Sequence, residues 1–268
     1  MKIKQLRFFL LPFLLISIII FVGCSQDHEP TANIPIPSDN NSSTIDNNLP
    51  VPEDIVPKYY VNTNNFLIKP INSEDPSKVV LLTFDDAPRG EDTYKILDTL
   101  DKYNAKAIFF VTGYYAVKNK ELIKEIHDRG HIIGNHTWTH PNLNTIDNLE
   151  ESKKEIIKLN DLIYEIIGEY PLYFRPPYGA LNKNEYAKQV LVDNNMQSMN
   201  WSLGSRDWEI IAPERYNELI SEVTNNVYSG ANILMHDIEI TAIALDEILN
   251  ELKNEGYLFV LPTEVIIE

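Results

Sequence analysis

Cysteine is nearly absent from this chain: there is one, Cys24, in 268 residues. A lone cysteine excludes an intrachain disulfide, so the fold must be held by its core. Basic residues are scarce too, 23 Lys and Arg against 39 Asp and Glu, for a formal net charge of −16. Three of the bases, Lys2, Lys4 and Arg7, precede Cys24 with no acid beside them, so the remainder is more acidic still. No basic stripe is visible, which argues against a nucleic-acid partner. A solvated acidic surface accounts for most of this charge. Also missing is an apolar run of the roughly 20 residues that a spanning helix needs, and no internal repeat is apparent.

What is present begins with a charged stretch, Met1–Arg7, and an apolar one, Phe8–Val22. These read as the n- and h-regions of a secretory signal. The run ends in Phe21-Val22-Gly23-Cys24, and a small residue before a cysteine there resembles a bacterial lipobox, with Phe21 in place of the usual Leu. Residues 1–23 are therefore expected to be a lipoprotein-type signal peptide and Cys24 the lipidation site. The alternative is an uncleaved signal anchor with an incidental cysteine. Either places the body outside the cytoplasm, at the outer face of the membrane. Residues 24–57, rich in Pro, Ser, Asn and Asp, read as a flexible spacer in which His28 has no specific role. Residues 58–77 are a lead-in, and 78–268 form the globular domain, expected to be a monomer.

Within that domain, apolar runs of strand length alternate with helical patterns. The runs are 79–84, 107–112, 131–135, 172–175, 197–201, 232–236 and 257–261. The clearest helix spans 146–167, where Leu149, Ile156, Leu159, Ile163, Ile166 and Ile167 share one face and Gly168 and Pro171 stop it. Strand alternating with helix predicts an α/β fold, a distorted (β/α) barrel of about seven parallel strands. The polar oddities all follow or end an apolar run: Asp85-Asp86, His136, "RPPYG", "SRDW" and His236-Asp237. In α/β barrels the carboxyl ends of the strands meet at one face, so these distant segments are expected to converge there.

Two imidazoles, His136 and His140, lie four apart in a stretch that precedes Pro141, so a strand-end loop is expected rather than a helix. Two imidazoles plus one carboxylate make a three-ligand site with an open position, as a catalytic zinc requires. His127 and His131, flanking "DRG" at a helix end, read as structural or solvated.

"TFDDAP", "HTWTH", "RPPYG", "SRDW" and "ILMHD", in this order, resemble the five motifs of the polysaccharide deacetylases with a NodB-homology domain, carbohydrate esterase family four. The resemblance covers residues 78–266 and implies a distorted (β/α) barrel. It implies that Asp86, His136 and His140 ligate a metal, usually Zn2+, with another divalent transition metal as an alternative. Asp85 resembles the general base, and Arg175 the arginine that pairs with it. His236 resembles the general acid that protonates the leaving amine, and Asp207 the carboxylate that orients that histidine. Tyr178 sits where a backbone N–H helps bind the oxyanion, and Pro177 adjoins it on the substrate side. Trp208 and Leu234 resemble the walls of an acetyl-methyl pocket. Trp201 reads as a core aromatic and Asp237 as structural, while Tyr114 and Tyr115 either line a sugar groove or merely pack.

Two departures stand out. Ala87 replaces a common Gly, with strain expected if that position takes a positive φ. Gly204 stands where relatives often carry Asp. The resemblance implies a metal-dependent deacetylase of N-acetylglucosamine in a surface glycan, peptidoglycan first. Asp86, where relatives acting on N-acetylmuramic acid usually show Asn, favours the glucosamine ring. Chitin oligomers, poly-N-acetylglucosamine or O-acetylated xylan are alternative substrates. A glycan-binding lipoprotein without activity is the alternative of another class.

Overall fold

A computed structural model describes residues 56–267. The expected signal peptide, the expected lipidation site Cys24 and nearly all of the expected spacer lie outside the described residues. In chain order the elements are β1 (Tyr59–Val61), β2 (Ile68–Pro70), β3 (Val79–Ala87), α1 (Glu91–Lys102), β4 (Ala107–Val111), α2 (Gly113–Ala116), α3 (Lys120–Asp128), β5 (Ile132–Asn135), α4 (Leu149–Ile167), β6 (Tyr173–Phe174), α5 (Glu185–Asp193), β7 (Gln197–Ser198), β8 (Leu203–Gly204), α6 (Tyr216–Asn226), β9 (Ala231–His236), α7 (Glu239–Asn254), β10 (Leu258–Phe259) and β11 (Val265–Ile267). The main sheet is parallel throughout, in the order β7-β6-β5-β4-β3-β9-β8, with β10 paired to the first residues of β3. This is the distorted (β/α) barrel expected from the alternation. β7 and β8, at the two ends of the order, are not paired with each other.

Side chains on a strand alternate between faces, and that period of two sorts this core. On β3, Val80, Leu82 and Phe84 face outward under the helices with Phe109, Ile233 and Met235. Val79 and Leu81 face inward with Ile108, Phe110, Tyr173 and Met199. Phe84 and Phe109 stack at 5.0 Å, and truncating either to Ala would cost about 3–5 kcal/mol. The lead-in carries two strands that the sequence did not announce: β1 pairs antiparallel with β2 and parallel with β11. Tyr59, Val61, Ile68 and Val265 of this small sheet join the inward cluster, and Tyr173 ties it to the main sheet by donating from Oη to Val265 O at 2.6 Å. The interior is thus filled at the amino end of the strands and left polar at the carboxyl end.

The helix foreseen over 146–167 is α4. Asn148 caps it, accepting from Glu151 N at 2.8 Å, and Gly168 ends it in the left-handed region at φ 77°. Asn135, at the outward end of β5, donates to Ile156 O and Asn160 Oδ1 of α4 at 2.9 and 2.7 Å. That bond places α4 directly behind the loop that follows β5.

Candidate active site

The inward column of β3 runs Val79, Leu81, Thr83, Asp85, so Asp85 reaches the polar end of the barrel by simple alternation. Asp86 would then point outward, into the helices. It does not, because the ladder slips there: Asp85 pairs with Phe110 and Ala87 with Val111, leaving Asp86 as an inserted residue at φ 61°. This bulge aims both carboxylates at one cavity and returns Ala87 to the outward core, where it is fully buried. The strain expected at Ala87 does not arise, since Asp86 takes the left-handed conformation instead.

His136 follows β5 and is buried, and burial holds its imidazole below the usual pKa, hence neutral. Its Nδ1 lies 2.6 Å from Arg175 O. A carbonyl only accepts, so Nδ1 carries the hydrogen and Nε2 keeps a free lone pair. His140 lies at φ 60°, with its N–H donating to Thr137 Oγ1 at 3.1 Å. The intervening loop is clamped from two sides. Glu155 of α4 accepts from Trp138 N through its carbonyl and from Thr139 N through its carboxylate, both at 2.8 Å. Gly113 and Tyr114 donate to Thr137 O and Trp138 O at 3.1 Å. Gly113 is required there, because a Cβ would sit 2.4 Å from Trp138 Cδ2. Asp86, His136 and His140 bring one potential ligand atom each within 4.8 Å of one another, and no other such cluster of three occurs among the described residues. A neutral imidazole with Nε2 free, a second imidazole and a carboxylate form a donor set that fits one divalent transition metal with open positions.

Arg175, after β6, is fully buried beside Asp85. Its Nη1 donates to Asp85 Oδ1 and Thr83 Oγ1, both at 2.8 Å. Nε and Nη2 donate to Met199 O and Asn200 O, both at 3.1 Å. Those two carbonyls belong to the stretch between β7 and β8, the two ends of the strand order, so Arg175 bridges that gap in the sheet as well as neutralising Asp85. Burial presses its pKa below the ordinary value while Asp85 opposes the shift. Asp85 keeps its other oxygen, Oδ2, on the ligand side, 3.6 Å from His136 Nε2.

Across the sheet, Asp85 is in register with His236 at the end of β9. His236 Nδ1 lies 2.7 Å from Asp207 Oδ1, and Asp207 Oδ2 accepts from His236 N at 2.5 Å and Thr241 Oγ1 at 2.7 Å. Burial works against the imidazolium, but the Asp207 hydrogen bond and charge, with Asp85 and Asp86 behind them, raise the His236 pKa above its ordinary value. Asp237, the next residue, is buried and pushed up to about 6 by desolvation; its role is structural, holding Arg89 N and Thr93 Oγ1.

These groups line a cavity of about 350 Å³ with Tyr178, Trp201, Trp208 and Leu234. Trp201 is therefore a cavity wall and not the core aromatic expected. Pro177 is buried and does not reach the cavity; it shapes the turn that presents Tyr178 at φ 59°. Gly204 leaves room for the indoles: a Cβ there would lie 3.2 Å from Trp208 and 3.6 Å from Trp201. Arg89, Asn135, Glu155 and Thr241 are the site's supports that lie outside the motifs, and Thr83, inside the first motif, is a support given no role there. His131 is structural as expected: it is buried and neutral, its pKa lowered to about 4 by desolvation, and its Nδ1 accepts from Ala107 N at 3.2 Å.

Paired carboxylates, a three-ligand cluster and a His–Asp pair thus meet at the carboxyl end of a parallel barrel, a constellation able to bind a metal and move protons beside it. The family model for polysaccharide deacetylase matches residues 72–199. The chain is 37% identical over 190 residues to the peptidoglycan-N-acetylglucosamine deacetylase PgdA of Listeria monocytogenes, which covers 70% of this chain and 39% of PgdA. The chain thus spans about two fifths of that relative's length. A solved structure of the Bc1960 peptidoglycan N-acetylglucosamine deacetylase superposes with a TM-score of 0.65 at 36% identity, covering 71% of this chain and 90% of the other. BA3943 of Bacillus anthracis, a CE4 family pseudoenzyme, superposes at 0.62 with 30% identity, covering 71% and 64%. The chain belongs to the polysaccharide deacetylase family.

Proposed function

We propose that this protein hydrolyses the N-acetyl group of N-acetylglucosamine residues in peptidoglycan. The observation that carries the reading is the register pair Asp85–His236: two proton-transfer groups stand on neighbouring strands at one cavity, each with its own buried partner, Arg175 and Asp207. Asp86, His136 and His140 would hold one divalent metal, Zn2+ first. When bound, such an ion supplies Lewis-acid chemistry, polarising a carbonyl oxygen and making water more acidic.

The chain's own residues supply the rest. Arg175 holds Asp85 Oδ1, which leaves Oδ2 to take the proton of the attacking water. Asp207 takes the Nδ1–H of His236, which leaves Nε2 to deliver a proton to the departing amine nitrogen. An amide nitrogen leaves poorly as an anion, so this second group is required. Trp201, Trp208, Leu234 and Tyr178 form the apolar walls against which the acetyl methyl would pack. Membership alone does not carry activity, as the pseudoenzyme neighbour illustrates; the assembled set of base, acid and three ligands supports catalysis over glycan binding alone.

The lipobox-like Val22-Gly23-Cys24 supports a body outside the cytoplasm tethered through a lipid on Cys24, where wall glycan is the substrate at hand. Among the described residues no helix is long and apolar enough to cross a membrane. The experiment is acetate release from purified peptidoglycan, N-acetylglucosamine oligomers and acetylated xylan, with and without chelator. Release from the first two, abolished by chelator and restored by zinc, is expected. Release from xylan alone would make it an esterase, and no release from any would leave the binding protein.

A further inference from the structure

One basic side chain at the site has no part in the reaction just proposed. Arg89, in the turn between β3 and α1, donates from Nη2 to Asp86 Oδ2 at 2.8 Å and from Nε to the Asp86 carbonyl at 3.2 Å. Its guanidinium lies 4.8 Å over the Tyr115 ring. The turn is pinned from below by Asp237, which accepts from Arg89 N at 3.1 Å and from Thr93 Oγ1 at 2.6 Å. Arg89 is therefore a fixed cation. It lines a second cavity of about 350 Å³, walled by Tyr114, Tyr115 and Trp138. That cavity shares Asp86 and His140 with the first, so the two adjoin along the metal ligands. Thr112 lies at its floor, buried, and its hydroxyl has no hydrogen-bond partner among the described residues.

Each wall group points to a ligand chemistry. Aromatic rings flanking a cleft provide the apolar lining on which a sugar ring packs. Of the five N–H donors of a guanidinium, the Nε–Nη2 edge of Arg89 is used on Asp86, while Nη1 makes no hydrogen bond among the described residues. The remaining Nη1–Nη2 edge is a planar fork that matches a carboxylate. In a chain of net charge −16, a fixed cation beside the cleft discriminates among partners by charge.

We propose that this second cavity receives the sugar next to the one being deacetylated, and that Arg89 selects a neighbour bearing a carboxylate. The inference rests on the deacetylase reading and narrows its substrate class. The preferred glycan alternates, with an acidic substituent on every second sugar, as in peptidoglycan and unlike chitin. That carboxylate has two sources, the lactyl ether itself or a peptide attached to it.

The test uses the metal-loaded protein and three tetrasaccharides of equal length: neutral chitotetraose, the alternating glycan with free lactyl carboxylates, and the same glycan carrying peptides. KM and kcat for acetate release are measured for wild type, Arg89→Gln and Arg89→Lys, with metal content checked in each. The wild type should favour an acidic glycan over chitotetraose by about tenfold in KM, the worth of one charged hydrogen-bonded contact. Arg89→Gln should cut that ratio severalfold, whatever its effect on kcat, down to what Lys118 over Tyr114 and Lys158 over Trp138 supply, and Arg89→Lys should keep more of it. Rising salt should erode the wild-type ratio with no substitution at all. The acidic glycan that carries the preference identifies the source of the carboxylate. A ratio unchanged in Arg89→Gln, or indifferent to salt, overturns the proposal and leaves Arg89 as a residue that only positions Asp86. Absence of acetate release from all three glycans would sink the deacetylase reading itself, which is a separate result.

Discussion

Asp207→Asn tests the assignment of His236 as the proton donor. All three partners of the Asp207 carboxylate are donors: His236 Nδ1–H, His236 N–H and the Thr241 hydroxyl. Only an acceptor on both oxygens satisfies them. An Asn that keeps its oxygen on Nδ1 must turn its NH2 toward His236 N–H, donor against donor; flipped, it faces Nδ1 instead. The hydroxyl of Thr241 can rotate, but the two His236 groups cannot both be served. The substitution also removes the charge that lifts the His236 pKa. A hydrogen bond to a charged group is worth about 1.5–3 kcal/mol, and its loss lowers the His236 pKa.

The sign follows from the role. A proton donor works while it is protonated, so the His236 pKa sets the alkaline limb of the rate profile. Asp207→Asn should move that limb downward and leave bound metal unchanged, since Asp207 touches none of the three ligands. Stability changes with the same sign. The raised His236 pKa contributes stability fully present below the unfolded value of about 6.5 and lost as pH rises through the folded one, and the variant should lack this contribution. The assay is acetate release across pH at saturating zinc, paired with metal content after dialysis. An alkaline limb that stays put, or a loss of metal, would refute the reasoning.

Other substitutions separate the remaining roles. Asp86→Asn and His136→Ala should lose metal on dialysis, whereas Asp85→Asn should retain it and lose about 10²–10⁴-fold in rate; the opposite pattern would exchange the two aspartates. Arg175→Ala leaves Asp85 buried without its partner and should destabilise by about 3–5 kcal/mol, read as a lower midpoint in urea; an unchanged midpoint would contradict the buried pair. Asp237→Asn should flatten the pH dependence of stability. The folded carboxyl, raised to about 6, favours the fold below the unfolded value of about 3.9 and loses that advantage as pH rises toward 6, so the variant should be the more stable at pH 7. Cys24→Ala should release the protein from membranes on cell fractionation, and retention would favour a signal anchor.

Much of this architecture was legible because strands and helices here announce themselves by period. The seven apolar runs correspond to strands, and the polar segments at their ends do gather at one cavity. What escaped the sequence shares a physical cause: it depends on contacts and not on pattern. β1, β2, β8 and β11 are three, three, two and three residues long, and unlike the equally short β6, β7 and β10 they lie outside the seven apolar runs. Trp201 carries no local mark that separates a cavity wall from a core, and Gly204 beneath it explains the difference only once the backbone approach is seen. Pro177 sits beside Tyr178 in the chain, yet the turn sends one inward to be buried and the other outward to the cavity. The sequence assigns Arg89 no role, since only the bulge brings Asp86 to it.

That bulge is the feature on which the rest depends. Two consecutive strand residues face opposite sides of a sheet, so a regular β3 could offer the cavity one aspartate only. Inserting Asp86 at φ 61° costs about 1–2 kcal/mol for a non-glycine residue and turns its carboxylate to the same side as its neighbour's. The two carboxylates then differ in surroundings while sharing a cavity. Asp85 stays within the ladder, buried, with one oxygen committed to Arg175. Asp86 stands half-exposed on the slipped turn, held by Arg89 and 3.6 Å from His140 Nε2. A ligand needs an oxygen open to the ion, and a base needs an oxygen open to water beside it. The adjacent pair meets both needs because a one-residue slip in register separates positions that the sequence places side by side.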